Sequence, residues 1–414
     1  MDHSKAFRIM QQADKLAEFT SMQGGLTRTY LSAQHKQAHQ QLANWMTSAG
    51  LTTWQDSVGN QWGRKAASNL DAPILILGSH SDTVADAGKY DGNLGVLLAI
   101  SALEQLQDVE FPFHIDVVAF ADEEGTRFDT TLIGSSAVAG IFDPRWLAIE
   151  DGEQISMAQA MQTFGLDPQQ AGKDRLACEK VLAYLEVHIE QGPVLEAADR
   201  AVGVVTGIAG AKRYQLSVKG MAGHAGTVPI GMRADAMCGA AQMTSAIEAY
   251  AKQHNLVATV GKCDVVSGSV NVIPGEVNFT LDIRSLEQDS LEKACDDLLT
   301  ELSVIAEQRG LTFAHQLFYQ AQAVPCSERL QQAWGDVVAK VTDKSVTFLP
   351  SGAGHDALAM AHLTEVGMLF VRCEKGISHH PLESVMQEDV AVALECTKQM
   401  LLAQLRAYGD QSDQ

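Results

Sequence analysis

The chain is 414 residues long, 46% of them hydrophobic, with a formal net charge of −21. That length allows two or three domains with substantial cores. So acidic a balance without a Lys/Arg cluster excludes a phosphate-tracking surface for nucleic acid, and no apolar run approaches the ~20 residues that span a bilayer.

In chain order, residues from about Ser4 to Ala49 read as helical, Leu51 to Gly63 as a hairpin-like stretch, and Ile74 to Leu77 as a buried strand. A helix over Gly95–Leu106, a strand over Ile115–Ala121 and a strand over Ala183–His188 complete an α/β alternation. The character changes near Gly207-Ile-Ala-Gly210. Strands over Tyr214–Lys219, Leu256–Val266, Glu276–Arg284 and Leu311–Phe318 alternate with helices over Ala234–Gln253 and Leu286–Arg309. That β-α-β-β-α-β order is ferredoxin-like, and it predicts a self-contained insert. The α/β pattern then resumes with helices over Ser327–Val341 and Gln387–Leu405 and strands over Val346–Leu349 and Met368–Val371. The expected organisation is a discontinuous catalytic domain over 1–208 and 323–414, with an inserted α+β domain over 209–322.

The N-terminal Met1-Asp-His-Ser-Lys-Ala-Phe lacks the apolar stretch of a secretory signal, and seven scattered cysteines form no CxxC pair. A cytoplasmic protein with reduced thiols is expected, and no membrane partner.

The chemistry gathers at strand ends. Gly78-Ser-His80-Ser-Asp82 follows one apolar run, Tyr90-Asp91-Gly92-Asn93 lies just beyond it, Asp122-Glu123-Glu124-Gly125 follows a second run, and His188 ends a third. Open α/β sheets place ligands at the carboxyl ends of their strands. A lone histidine is more often packed than ligating, and an acidic run is more often solvated surface. Imidazoles and carboxylates converging on one edge instead predict a two-metal hydrolase site, in which one of two adjacent glutamates binds metal while the other serves as general base.

These segments, with His188-Ile-Glu-Gln-Gly192, Gly223-His224-Ala-Gly226, Asn271, Arg284, Ser351-Gly-Ala-Gly-His355-Asp356 and Ser378-His379-His380-Pro381-Leu-Glu383, resemble in order the amidohydrolases that cleave allantoate or N-carbamoyl-L-amino acids. Those enzymes belong to a dimetal family with aminoacylases and carboxypeptidase G-like peptidases. The resemblance implies a dimetal-peptidase-like catalytic domain with an inserted lid and dimerisation domain. It implies two divalent metals, zinc first and manganese as the alternative: Asp91 bridges, His80 and His188 complete one site, and Glu124 and His379 complete the other. Glu123 then matches the base, and Asp82 is expected to accept a hydrogen bond from the His80 imidazole. His224 is expected to stabilise the oxyanion from a partner subunit, hence a homodimer. Arg284 and Asn271 would clamp a substrate carboxylate, with Gln191 and Gly352 as further substrate contacts. His355 is assigned to shaping the pocket and His380 to a structural role, while His3, His35, His39, His114, His254, His315 and His362 are read as structural.

Three functions follow. Hydrolysis of a ureido group, in allantoate or an N-carbamoyl amino acid, leads, because peptidase relatives commonly carry a carboxylate where this chain has His188. A peptidase or aminoacylase comes second. A silent binding protein comes third, although Glu123 and every ligand position are retained.

Overall fold

A computed structural model describes residues 2–412. The chain divides into two compact units, one formed by Met1–Thr206 with Cys326–Gln414 and the other by Gly207–Pro325.

The first unit is built on a mixed sheet whose centre is parallel. Ile74–His80 lies between His114–Phe120 and Val181–Ile189, and Val366–Val371 continues the parallel run beyond the latter. Antiparallel strands flank this centre, with the hairpin Thr52–Gln55 and Gln61–Lys65 on one side and Val202–Ile208 on the other. Every residue of Ile74–His80 and His114–Phe120 is buried, as strands covered on both faces require. The helix Asn93–Glu104 is apolar all round and almost wholly buried against the sheet. Because the central strands are parallel, their carboxyl ends share one edge. His80, Asp122 to Glu124 and His188 leave the sheet there.

Two details differ from the sequence reading. The helical stretch expected over Ser4–Ala49 is two helices, His3–Ala17 and Ala33–Ser48. Each has its own N-cap, Asp2 and Ser32, whose side chains accept main-chain hydrogen bonds. Between them Leu31 takes a positive φ of 57°, and this backbone excludes a continuous helix. The strand expected over Val346–Leu349 lies instead at Phe348–Ser351.

In the second unit the antiparallel sheet runs Cys263–Val265, Glu276–Ser285, Gly210–Lys219, Thr312–Ala321, with Val257–Thr259 also paired to Glu276–Ser285. The strand expected over Leu256–Val266 is therefore interrupted. The helices Ala236–His254 and Gln288–Gln308 supply the sheet's apolar cover, and Met243, Ile247, Leu298 and Leu302 pack with Leu216, Phe279 and Leu281 in one core. A separate two-stranded piece pairs Gly223–His224 with Val272–Ile273.

Candidate metal centre

The loop after Ile74–His80 turns back so that Asp91 meets His80. Gly92 makes this possible in two ways. Its φ is 64°, and a Cβ at that position would lie 2.5 Å from the His80 ring, so a side chain is excluded by both conformation and space.

Asp91 is the centre of the arrangement. Its Oδ1 lies 3.4 Å from His80 Nε2 and 3.1 Å from His188 Nε2. Its Oδ2 lies 3.3 Å from His379 Nε2, and His379 Nε2 is 3.7 Å from Glu124 Oε1. Ligand atoms of His80, Asp91 and His188 thus converge as one set, those of Asp91, Glu124 and His379 as a second, and those of His80, Glu123 and Glu124 as a third. One carboxylate faces two ligand sets with its two oxygens.

The donor chemistry of the first set fits a cation. His188 Nδ1 lies 2.9 Å from the Ile189 carbonyl, and His80 Nδ1 lies 3.1 Å from the Asp82 carbonyl. Both Nδ1 atoms are placed to donate, and the Nε2 atoms, 3.4 Å apart, lie beside Asp91 Oδ1, with the Gly92 N–H 3.3 Å from His188 Nε2. That oxygen is buried and has no hydrogen-bond donor. Such convergence is repulsive unless a positive charge lies among the atoms. Without a metal, a proton meets the need: burial opposes it, but hydrogen bonds to Asp82 and Asp91 and the charge of Glu123 lift the His80 pKa well above 6.5. His379 is raised to about 9, chiefly by Asp91. Glu124 is pushed up to about 7 by burial and by the Asp91 charge, and burial likewise lifts Glu123.

The Asp82 side chain has partners beyond the expected imidazole. The nearest acceptor to His80 Nδ1 is the Asp82 main-chain carbonyl, while the carboxylate accepts the main-chain N–H groups of Glu123 (3.0 Å) and Glu124 (3.2 Å). Its Oδ1 also lies 3.5 Å from His80 Nδ1, so the carboxylate faces the imidazole as well as the two glutamate amides. Gln191 also lies in this cluster. Its φ is 57°, and its amide nitrogen lies 2.9 Å from Asp91 Oδ2 and 3.3 Å from His379 Nε2. His379 has a φ of 55°, so two neighbouring residues here hold a conformation that side-chain-bearing residues seldom adopt. The adjacent His380 is exposed, its Nδ1 accepting from the Leu382 N–H. His355 is buried, 2.7 Å from Ser351 Oγ, with its ring edge-on to that of His188. Gly352 is exposed in the turn before it.

Glu383, at the end of the Ser378-His379-His380-Pro381-Leu-Glu383 segment, holds two loops together. Its Oε1 accepts from the N–H groups of Tyr90 and Asp91, and its Oε2 accepts from Ser378 Oγ. It therefore ties the Asp91 loop to the His379 loop, and a carboxylate five residues after Ser378 is the signal that could have marked it. His35 and His39 are buried and both contact Ser81 Oγ, so they brace the His80 strand end from below.

The remaining candidates belong to the second unit. His224 is exposed, its Nδ1 accepting from the Gly226 N–H. Asn271 is joined to the same loop through its carbonyl, which accepts from the Ala225 N–H. Arg284 donates from Nε and Nη2 to the two oxygens of Asp282, which also accepts from Arg213 Nε.

The pattern of peptidase family M20/M25/M40 matches residues 76–403. The chain belongs to this family. An allantoate deiminase of Arabidopsis thaliana is 41% identical over 402 residues, covering 89% of this chain and 76% of that protein. An N-carbamoyl-L-amino acid amidohydrolase of Geobacillus stearothermophilus is 39% identical over 392 residues, 94% of this chain and 96% of its own. The crystal structure of an amidase of the hydantoinase/carbamoylase family from Burkholderia multivorans superposes with a TM-score of 0.89 at 30% identity, covering 96% of this chain and 97% of that one. This M20/M25/M40 chain is a hydrolytic enzyme of the amidohydrolase kind. Among its described residues no helix is long and apolar enough to cross a membrane.

Proposed function

We propose that the chain hydrolyses a ureido C–N bond in a carboxylate-bearing small molecule, allantoate first, with release of ammonia and carbon dioxide. The observation that carries this reading is the two-faced Asp91, which presents one oxygen to His80 and His188 and the other to His379 beside Glu124. Two divalent cations would be held by these five residues, zinc being the first choice for an imidazole and carboxylate set and manganese the second. When bound, such a pair supplies Lewis acidity toward a carbonyl oxygen and acidifies water.

Each protein group then has one task. Glu123 takes the proton of the attacking water and passes it to the leaving nitrogen. Asp82 keeps Glu123 aimed through its main-chain N–H. His224 hydrogen-bonds the developing oxyanion, and its contribution by a partner subunit makes a homodimer the expected assembly. Arg284 and Asn271 receive the substrate carboxylate, with Gln191 and Gly352 beside the reacting group. The insert thereby acts as lid and dimerisation domain. A cytoplasmic location accords with this chemistry.

The ureido substrate class is supported by the names of the two relatives, one an allantoate deiminase and the other an N-carbamoyl-L-amino acid amidohydrolase. The second reading is accordingly N-carbamoyl-L-amino-acid or N-carbamoyl-β-alanine hydrolysis. Parallel ammonia-release assays on allantoate, N-carbamoyl-L-amino acids and N-carbamoyl-β-alanine separate these, and dipeptides tested alongside address the peptidase alternative. Turnover of dipeptides alone would overturn the proposal.

A further inference from the structure

The segment between the two N-terminal helices carries a fully buried arginine, Arg28. Each acceptor of its guanidinium is a neutral oxygen. Nε donates to the Ser81 carbonyl at 2.8 Å, Nη2 to Asn93 Oδ1 at 2.9 Å, and Nη1 to the Leu16 carbonyl at 2.7 Å. Ser81 follows His80, and Asn93 lies two residues after Asp91, whose carbonyl accepts from the Asn93 amide. The Arg28 main chain also exchanges hydrogen bonds with Thr83, its N–H donating to Thr83 Oγ1 and its carbonyl accepting from the Thr83 N–H.

We propose that Arg28 is a positioning residue that clamps the loop bearing His80 and the loop bearing Asp91 into one ligand geometry. The planar guanidinium has donors at fixed angles, so one side chain sets the distance between two loops. Lysine offers a point charge on a flexible stem and cannot span both. The location also accounts for keeping a cation inside the protein: Asp82 lies close enough for its charge to favour the ionised guanidinium, although burial lowers its pKa to about 10. A merely structural role is the competing reading, because Nη1 caps the end of the helix His3–Ala17. The two edges of the fork therefore serve different elements, and they can be tested apart.

The inference rests on the proposed metal pair. The full chain is stripped with a chelator and titrated with zinc against a chromophoric competitor, and with Co2+ for its visible absorption, while melting of the metal-free protein monitors folding. Arg28→Lys and Asn93→Ala are each expected to weaken metal binding about 10- to 100-fold, the range for groups that orient ligands, and to alter the Co2+ spectrum. The double variant should lose less than the product of the two effects, because both break one link. Folded variants with lowered melting temperature but unchanged affinity and spectrum would leave only the helix cap and overturn the proposal, as would strictly multiplicative losses. If Arg28→Lys does not fold, Asn93→Ala decides alone, and unchanged zinc affinity overturns the clamp. A wild-type chain that binds no metal refutes the underlying metal reading instead.

Discussion

The Asp91 cluster of the first unit and the His224–Asn271 loop of the second are built on opposite plans. Asp91, His80 and His188 are buried; Glu383, far along the chain, accepts from the Asp91 N–H, while the His80 and His188 rings meet the nearby main-chain carbonyls of Asp82 and Ile189. His224 and Asn271 are exposed, on a two-stranded piece braced mainly by its own loop. Groups that hold a cation must converge before it binds, since misplaced ligands lose affinity steeply. In the proposed function His224 and Asn271 meet the substrate, a role that requires them to stay reachable.

The largest expected effect tests the convergence itself. Asp91→Ala removes the carboxylate common to both ligand sets, so metal content measured by elemental analysis should fall from two ions to none, with turnover at background. Two tightly bound ions in that variant would refute the bridge. Next comes Glu123→Gln, which removes the base while leaving the five ligand positions intact. Metal content should be retained and kcat should drop about 10²- to 10⁴-fold, the range for general acid–base catalysis. Near-normal turnover would dismiss Glu123 as the base.

The second-unit residues should respond differently. His224→Ala is expected to lower kcat about 10²- to 10³-fold with little change in KM, as for a lost oxyanion donor. Arg284→Lys keeps a charge beside Asp282 but loses the fork, and a charge-assisted hydrogen bond of roughly 1.5–3 kcal/mol corresponds to a KM raised about tenfold or more. Steady-state kinetics on a carboxylate-bearing substrate separates the two, and an unchanged KM in Arg284→Lys would remove the carboxylate clamp. Neither variant should alter metal content.

The same contrast explains what the sequence could reveal. His80, the Glu123–Glu124 pair and His188 were legible because each ends an apolar strand, and parallel pairing puts those ends on one edge. The alternation of strands and helices that predicts an insert falls within the second unit, Gly207–Pro325. The break between the first two helices was not legible, because Ala6, Ile9, Ala13 and Leu16 on one side and Ala38, Leu42 and Met46 on the other keep helical spacing, while the interruption lies in the Leu31 backbone and the Ser32 cap between them. Glu383 escaped notice because its partners Tyr90 and Asp91 lie nearly three hundred residues away. The Asp82 carboxylate lies beside its sequence neighbour His80, as its spacing predicts, but its pairing with the Glu123 and Glu124 amides depends on tertiary structure.

The smallest effect is in the pH dependence of stability without metal, and the two regions should differ in sign. His379, raised to about 9, and Glu124, raised to about 7, both bind protons more tightly folded than unfolded. Stability from His379 is fully present below its unfolded value near 6.5 and is lost as pH rises through about 9; that from Glu124 is present below 4.5 and is lost as pH rises through about 7. Asp282 behaves oppositely. Burial works against its charge, but Arg284 and Arg213 outweigh it and hold its pKa below 3.8, so its contribution persists above that value and is lost only as pH falls through the folded pKa. The metal-free chain should therefore melt a few degrees lower at pH 8.5 than at pH 6, on the scale of roughly 2–4 °C per kcal/mol. Added zinc should reverse the trend, because metal replaces the protons that the ligands must release. Calorimetry with and without chelator reads both. A metal-free melting temperature that rises between pH 6 and 8.5 would show that the carboxylate and imidazole cluster does not retain those protons in the folded protein.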